Sequence, residues 1–512
     1  MERLIEYEST VEVVTTSHPA LSVITRLFGE FHKRQIRYCH WKAHGAHLIA
    51  SVTGDSDLDI LFDVNQKEEI EFILAALGFK EFEAIKQKRI EGIVDFLGLD
   101  TLSGKLIHLH AHYKLPMGAL YLKEYQPDLE ELILENRVFN NAYGTYCIHP
   151  VIQFVLLFLM ESLKLRHRDA LAIRIRNKVQ CNEKTLSEYR WLKERVMHAK
   201  VQSILQILFK NPSPIEKILN QDINRKQLLK LAALVKTEFS EKQLFPTVQG
   251  VLIRWFREVT AIINKRAARW WPIPAKRTNP RGGVAIAVIG ADGSGKSTAI
   301  SDLKKTFEGK LDVCPIYFGR GDGKVSWTRR QLQSFKEMLF PEKKIRIKNQ
   351  GHGSSHKQEG LLSITYKCIN AILVAREKSK NLKRMQAAKK RGMLVIGDRY
   401  PQNQIMGFND GPLLYSLKNS GNPLFRICAR YEAKIYARAE EAPPEIVFKL
   451  IADAGVVEKR KPGETSLEKL EAKINGIKQL RFKDPCQVIT VDATKPLPEV
   501  LTIIKKEIWN AM

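Results

Sequence analysis

A lysine and a hydroxyl residue placed four positions and a glycine beyond an earlier glycine form a spacing suited to gripping phosphate. Gly290-Ala-Asp-Gly-Ser-Gly-Lys-Ser-Thr298 fits that pattern, G-x-x-x-x-G-K-[ST]. Gly290, Gly293 and Gly295 let the backbone wrap around Asp292 and Ser294 so that several N–H groups point at one phosphate. Lys296 can reach β and γ phosphates. The Ser297 hydroxyl is placed to ligate Mg²⁺, and Thr298 follows it into the next turn. A glycine-rich turn with a chance lysine is the bland alternative. The flanks decide against it. Val284-Ala-Ile-Ala-Val-Ile289 reads as a buried strand, and Lys296 to about Phe307 is compatible with a helix whose N-terminus adds positive charge. The expected ligands are a nucleoside triphosphate, ATP, and Mg²⁺.

A second acid–base pair ends another apolar run, Met393-Leu-Val-Ile-Gly-Asp-Arg-Tyr400. A carboxylate at the end of a neighbouring strand can order Mg²⁺ beside a triphosphate, which suits Asp398. Arg399 can hold an acceptor phosphate in a two-pronged grip. A surface salt bridge is the simpler alternative for an isolated Asp-Arg pair.

A third constellation lies near the start, in Gly54-Asp-Ser-Asp-Leu-Asp59. On a strand, Asp57 and Asp59 would face the same way and could share metal ions bridging a triphosphate, as nucleotidyl transfer requires. An Asp- and Ser-rich surface turn is the alternative. Lys42 in His40-Trp-Lys-Ala-His-Gly45 is a candidate phosphate contact, and Asp95 a candidate third carboxylate. His108, His110 and His112 share one face of Leu106-Ile-His-Leu-His-Ala111 and its next residue. They read first as ordinary strand histidines. Zinc binding, or replacement of a missing carboxylate, stays open.

Residues 1–147 alternate strand-like and helical segments, whereas 148–268 carry apolar residues at helical spacing with almost no glycine. The stretch 269–283, Pro- and Gly-rich, reads as a linker, with Trp270 and Trp271 expected to pack one domain against another. From 284 to 512 strands and helices alternate, as in a parallel α/β sheet. Residues 348–358 read as a polar loop in which His352 and His356 are expected to be solvent-exposed.

The chain has 512 residues, 44% hydrophobic and 27% charged, too long for one core and ordinary for globular protein. Seven scattered cysteines with no C-x-x-C pair argue against a disulfide framework or structural zinc. The charged start Met1-Glu-Arg-Leu-Ile-Glu6 does not resemble a signal peptide, and Val151–Met160 is too short to span a bilayer. A cytoplasmic protein without a transmembrane segment is expected. Its net charge of +26 attracts polyanions. The basic residues are spread through 164–178, 343–348 and 378–391 with no aromatic-interleaved motif. Solvated helix faces are therefore favoured over a nucleic-acid surface, which stays possible.

The set Gly290–Thr298, Asp398-Arg-Tyr400 and Pro444-Glu-Ile-Val-Phe-Lys-Leu450 followed by Arg460 resembles the thymidylate kinase family of nucleoside monophosphate kinases over about residues 284–507. The resemblance implies a P-loop NTPase parallel sheet and transfer of the ATP γ-phosphate to a small-molecule phosphate acceptor. It implies that Arg320 grips the acceptor, that Arg460 acts from a lid, and that Asp292 lies near the acceptor sugar. Where that family reads thymine, this chain has Glu377 and Lys380, with Arg376 one position out of register, and Gly-Arg-Gly-Asp replaces the family's Arg-Glu-Pro-Gly loop. The run Gly54–Asp59 is similar to the G-x-S-D-x-D core of the nucleotidyltransferase fold, without its usual upstream Gly-Ser or Gly-Gly turn. This implies an α+β nucleotidyltransferase-like domain preceding the helical region. Two other readings remain: nucleotidyl transfer at Asp57 and Asp59 with regulatory ATP binding, or a nucleotide-gated protein that binds nucleic acid.

Overall fold

The computed structural model describes residues 18–176, 179–319, 361–406, 409–463 and 466–512. The chain divides into two units, Met1–Arg269 with Ala275–Pro280, and Trp270–Pro274 with Arg281–Met512.

The first unit opens with α1 (Ser22–Lys33), β1 (Tyr38–His40), α2 (Gly45–Val52), β2 (Leu58–Phe62), α3 (Lys67–Ala76), β3 (Lys80–Ala84), β4 (Ile93–Leu99) and β5 (Leu106–His112). It continues with α4 (Glu130–Glu135), β6 (Val138–Asn140) and β7 (Thr145–Cys147). Helix α1 forms because Val23, Ile24, Leu27, Phe28 and Phe31 recur at helical spacing and bury one face. Ile107, Leu109 and Ala111 alternate with the histidines of β5 and fill the core beside Leu58, Ile60 and Phe62 of β2. The histidines are thereby forced to the opposite face.

Seven helices follow: α5 (Pro150–Leu163), α6 (His167–Arg176), α7 (Glu183–Lys193), α8 (His198–Leu208), α9 (Ser213–Leu219), α10 (Arg225–Glu238) and α11 (Thr247–Ala267). Helix α5 is buried almost all round, including Val151 to Leu159, and α7, α8 and α10 pack around it. Among the described residues, no helix is long and apolar enough to cross a membrane.

Part of the stretch expected as a linker is a strand. Residues Arg277–Thr278 form β8, antiparallel to β3, and complete a mixed sheet of order β6-β7-β1-β2-β5-β4-β3-β8. Two residues are too few to show strand periodicity, so only the Pro and Gly around them are legible. Trp270 and Trp271 are 76% and 64% exposed.

In the second unit the order is β9 (Ala285–Gly290), α12 (Lys296–Glu308), β10 (Val313–Tyr317), α13 (Leu361–Lys389), β11 (Leu394–Asp398) and α14 (Pro423–Glu441). Then come β12 (Ile446–Ile451), α15 (Ala454–Arg460), α16 (Leu467–Gln479), β13 (Gln487–Asp492) and α17 (Leu497–Ala511). The sheet is parallel throughout, in the order β10-β11-β9-β12-β13. Strands β9, β11 and β12 are apolar apart from Asp398 and Lys449, because helices cover both faces of such a sheet. From β9 the chain passes to β10, beyond β11, and later returns to β12 on the other side. The end of β9 therefore lies at a switch point, where crevices open in sheets of this kind.

One buried carboxylate holds the loop after β11 in place. Glu432 on α14 is 1% exposed and accepts the Leu413 and Leu414 N–H groups at 2.9 and 2.7 Å. Glu432→Leu strands both donors, at roughly 1–3 kcal/mol each. Equilibrium denaturation of the variant is expected to show a loss of about 2–6 kcal/mol from the second unit.

Candidate functional sites

The glycine-rich loop joins β9 to α12 and lines a cleft of about 480 Å³. Its glycines are required by space and by backbone angle. A Cβ on Gly290 would stand 2.8 Å from the Leu450 carbonyl oxygen, and Gly293 and Gly295 have φ of +88° and +90°. Asp292 to Ala299 line the cleft with Tyr317, Asp398, Arg399, Arg460, Lys461 and Lys495, while Leu497 and Val500 give it an apolar side.

Lys296 is 6% exposed, with its Nζ 2.6 Å from the Ala291 carbonyl oxygen and 3.7 Å from Asp292 Oδ1. Burial, and next the Arg399 charge, lower its pKa to about 8. Ser297 and Thr298 are exposed at the first turn of α12. The Ser294 hydroxyl is buried without a hydrogen-bond partner.

Asp398 ends β11 in register with Val288 of β9, and Arg399 follows it with φ +68°. Left-handed backbone at an arginine carries strain. It is held by an Arg399 N–H bond to the Val288 carbonyl at 3.0 Å and by guanidinium contacts to Asp292 at 2.7 Å and Asp410 at 3.4 Å. Burial raises the Asp398 pKa, only partly offset by Arg399 and Lys296. Burial also opposes ionisation of Asp292, but Arg399 and Lys296 outweigh it and hold that carboxyl below its ordinary value. Arg460 donates to the Ala493 carbonyl oxygen at 3.0 Å.

The structure therefore brings Gly293, Ser294, Gly295, Lys296, Ser297, Thr298, Asp292, Asp398, Arg399 and Arg460 around one cleft, with Gly290 at its base. Arg320 lies outside the described residues, as do His352, His356 and the basic run 343–348. Glu377 is half-buried and Lys380 exposed on α13; neither lines the cleft. Sequence reasoning missed Asp410, Lys461, Lys495 and Lys473, whose Nζ stands 3.6 Å from Asp292 Oδ2. Lys461 adjoins Arg460, and Asp410 sits in the turn-like Asn409-Asp-Gly411, so signals existed for those two.

The first unit holds a separate polar centre. Register places Asp59 of β2 beside His110 of β5, and His110 beside Asp95 of β4, so three strands carry one row. His110 Nδ1 is 3.4 Å from Asp59 Oδ1, and its Nε2 is 3.1 Å from Asp95 Oδ1. His108 Nε2 lies 2.6 Å from Asp95, and its Nδ1 2.9 Å from Asp57, which precedes β2 and is half exposed. His112 Nε2 is 3.3 Å from Asp59. Lys42 Nζ reaches Asp59 at 2.8 Å, and Arg277 Nε reaches Asp95 at 2.7 Å. Arg277, inside the stretch read as a linker, carried no chemical signal in sequence.

Burial disfavours charge on Asp59 and Asp95. On Asp59 it is outweighed by Lys42 and by hydrogen bonds from His110 and His112, and on Asp95 by hydrogen bonds from His108 and His110. Both carboxyls sit well below the usual range. Burial likewise opposes a charged His110, but bonds to the two carboxylates raise its pKa to about 9. His112 is lowered to about 4 by burial.

No family model matches the chain. Over 226 residues it is 26% identical to the uncharacterized ATP-binding protein YghR of Escherichia coli (strain K12), a span covering 44% of this chain and 86% of that protein. Over 228 residues it is 26% identical to the uncharacterized ATP-binding protein YghS of the same strain, covering 44% and 93%.

The raised His110 value fixes a pH dependence. Its contribution to stability is complete below its ordinary value of 6.5 and is lost as pH rises through about 9. Thermal melts of the whole chain are expected to show the first unit weakening over that window, and His110→Gln to flatten the alkaline limb. Equal alkaline slopes in both proteins would contradict the assignment.

Proposed function

We propose that the second unit is an ATP- and Mg²⁺-dependent phosphotransferase of the nucleoside monophosphate kinase type, on a P-loop NTPase sheet. The observation that carries this reading is the convergence of Lys296, Arg399 and Arg460 on a glycine-constrained loop at the switch point of a parallel sheet. The ATP-binding proteins to which the chain is similar support the nucleotide.

The loop N–H groups and Lys296 hold the phosphates, Lys296 exchanging the Ala291 carbonyl for phosphate oxygen. Ser297 and Asp398 fit a hard divalent cation: both offer oxygen, both line the cleft, and half-buried Asp398 gains from added positive charge. Bound there, Mg²⁺ would neutralise charge on the transferring phosphoryl group. Arg399 holds the acceptor phosphate, Arg320 is its second grip, Asp292 lies on the acceptor side, and Arg460 closes over the reacting group. Glu377 and Lys380 offer no thymine-reading pair, so the acceptor is proposed to be other than dTMP. A site built to read one base would reject the rest through unpaired polar groups.

A second reading is favoured by the Asp59–His110–Asp95 row. With Asp57, it supports a nucleotidyltransferase-like first unit in which these carboxylates serve transfer of a nucleotide. Release of α-label rather than γ-label from ATP distinguishes that reaction from the first.

Transfer of label from γ-labelled ATP to monophosphates and sugar phosphates tests the kinase reading. Lys296→Ala is expected to reduce transfer by at least about a hundredfold with the fold intact, since the lysine is a charge contact on the reacting phosphates. Undiminished transfer would remove the reaction from this cleft.

Asp398→Asn is expected to lower kcat more than ATP affinity at saturating Mg²⁺, the mark of a group acting mainly at the transferring phosphate. Lost affinity with normal kcat at saturation would contradict that role.

A further inference from the structure

His110 presents an unusual arrangement of acceptors. Its Nε2 faces Asp95 Oδ1 at 3.1 Å, within ion-pair distance. Its Nδ1 stands 3.4 Å from Asp59 Oδ1, so the ring lies between the two carboxylates. A ring nitrogen and a carboxylate oxygen this close need a cation between them, which in the metal-free chain is a proton and in the loaded chain a metal ion. His112 Nε2 approaches the same Asp59 oxygen at 3.3 Å. Asp59 and His112 are both buried, and one ligand atom from each of Asp59, His110 and His112 lies within 4.8 Å of the others.

Tetrahedral coordination with bonds near 2.0–2.1 Å separates donor atoms by about 3.4 Å. The two Asp59–histidine distances match that edge. The neighbouring group Asp95, His108 and His110 does not, because Asp95 and His108 are already in direct hydrogen-bond contact at 2.6 Å. Asp95 instead supports His110 from behind, held in turn by His108 and Arg277. A carboxylate behind a ligating histidine is the usual way to fix its tautomer and strengthen it as a donor.

We propose that Asp59 Oδ1, His110 Nδ1 and His112 Nε2 bind one divalent transition ion of zinc's class, with a fourth position left open beside Lys42. Two imidazoles and one carboxylate favour such an ion over Mg²⁺, which prefers oxygen ligands. The Lys42 ammonium, 2.8 Å from Asp59 on a side chain 34% exposed, is the competing cation and turns outward as the metal enters. There it can meet a phosphate oxygen occupying the open position. The ion replaces the proton on His110 Nδ1, which leaves to solvent, and the proton on His112 Nε2, which moves to the Nδ1 of the same ring. The site stands on ligand geometry and holds whether or not the first unit transfers nucleotides.

Cobalt(II) titrated into the full chain after chelation and dialysis tests the site. Strong visible absorption characteristic of four- or five-coordinate cobalt is expected, with displacement by equimolar Zn²⁺ and none by equimolar Mg²⁺. His110→Gln and His112→Gln should abolish the absorption, and Asp95→Asn should weaken cobalt affinity about 10–100-fold. Lys42→Met should tighten it. Asp398→Asn, in the other unit, should leave the spectrum unchanged. Only the weak spectrum of six-coordinate cobalt, displacement by Mg²⁺, or bands surviving both histidine substitutions would overturn the proposal. If a histidine variant fails to fold, the Zn²⁺-against-Mg²⁺ displacement in the parent chain and the Lys42→Met affinity decide. A Lys42→Met protein that binds cobalt no more tightly than the parent also counts against it.

Discussion

Lateral pairing of strands in fixed register is the constraint on which both polar centres depend. A slip of one residue between β2 and β5 would move Asp59 away from His110 and turn the histidines into the core. The slip is prevented by Ile107, Leu109 and Ala111, whose burial on the other face is incompatible with any odd shift. In the second unit, the pairing of β9 with β11 and β12 performs the equivalent task. It brings Asp398 level with Val288 and the Leu450 carbonyl against Gly290, so the loop leaves the sheet at one place and in one direction. In β5 the polar row is positioned by apolar side chains on the opposite face of the strand.

The two centres handle charge differently. Around the glycine-rich loop, cations outnumber the carboxylates that face them, and Lys296 spends its hydrogen bond on a backbone carbonyl. Such a cleft is short of negative charge, which suits a phosphate-bearing ligand. At the His110 row, by contrast, each buried carboxylate has a cationic or hydrogen-bonding neighbour, and the balance is struck inside the protein. An incoming ligand there must exchange with a cation already in place.

Much of this was legible in sequence where chemistry and periodicity coincide. The loop from Gly290 to Thr298 announces itself because glycine spacing, lysine and flanking strand carry the same message. The alternation in Leu106–His112 likewise fixes which way its histidines face. What was hidden is pairing between distant segments. Nothing in Asp95 alone marks it as the partner of His110, and Asp410 reaches Arg399 only because the chain after β11 folds back under Glu432. Arg320 and the surrounding segment 320–360 lie outside the described residues.

Strand β8 shows that the order of residues along the chain and the membership of a folding unit are different things here. After the helical region, Trp270–Pro274 belongs to the second unit, and Ala275–Pro280 returns to the first. That return delivers Arg277 to Asp95, a partner 182 positions away. A fragment ended where the helices stop, near Ala267, would keep every histidine of the row and still leave Asp95 without its guanidinium. It would also expose the edge of β3. Anyone dissecting this protein into pieces should carry the amino-terminal piece through Pro280, because the boundary that looks natural in a linear map cuts through the charge balance of a buried centre.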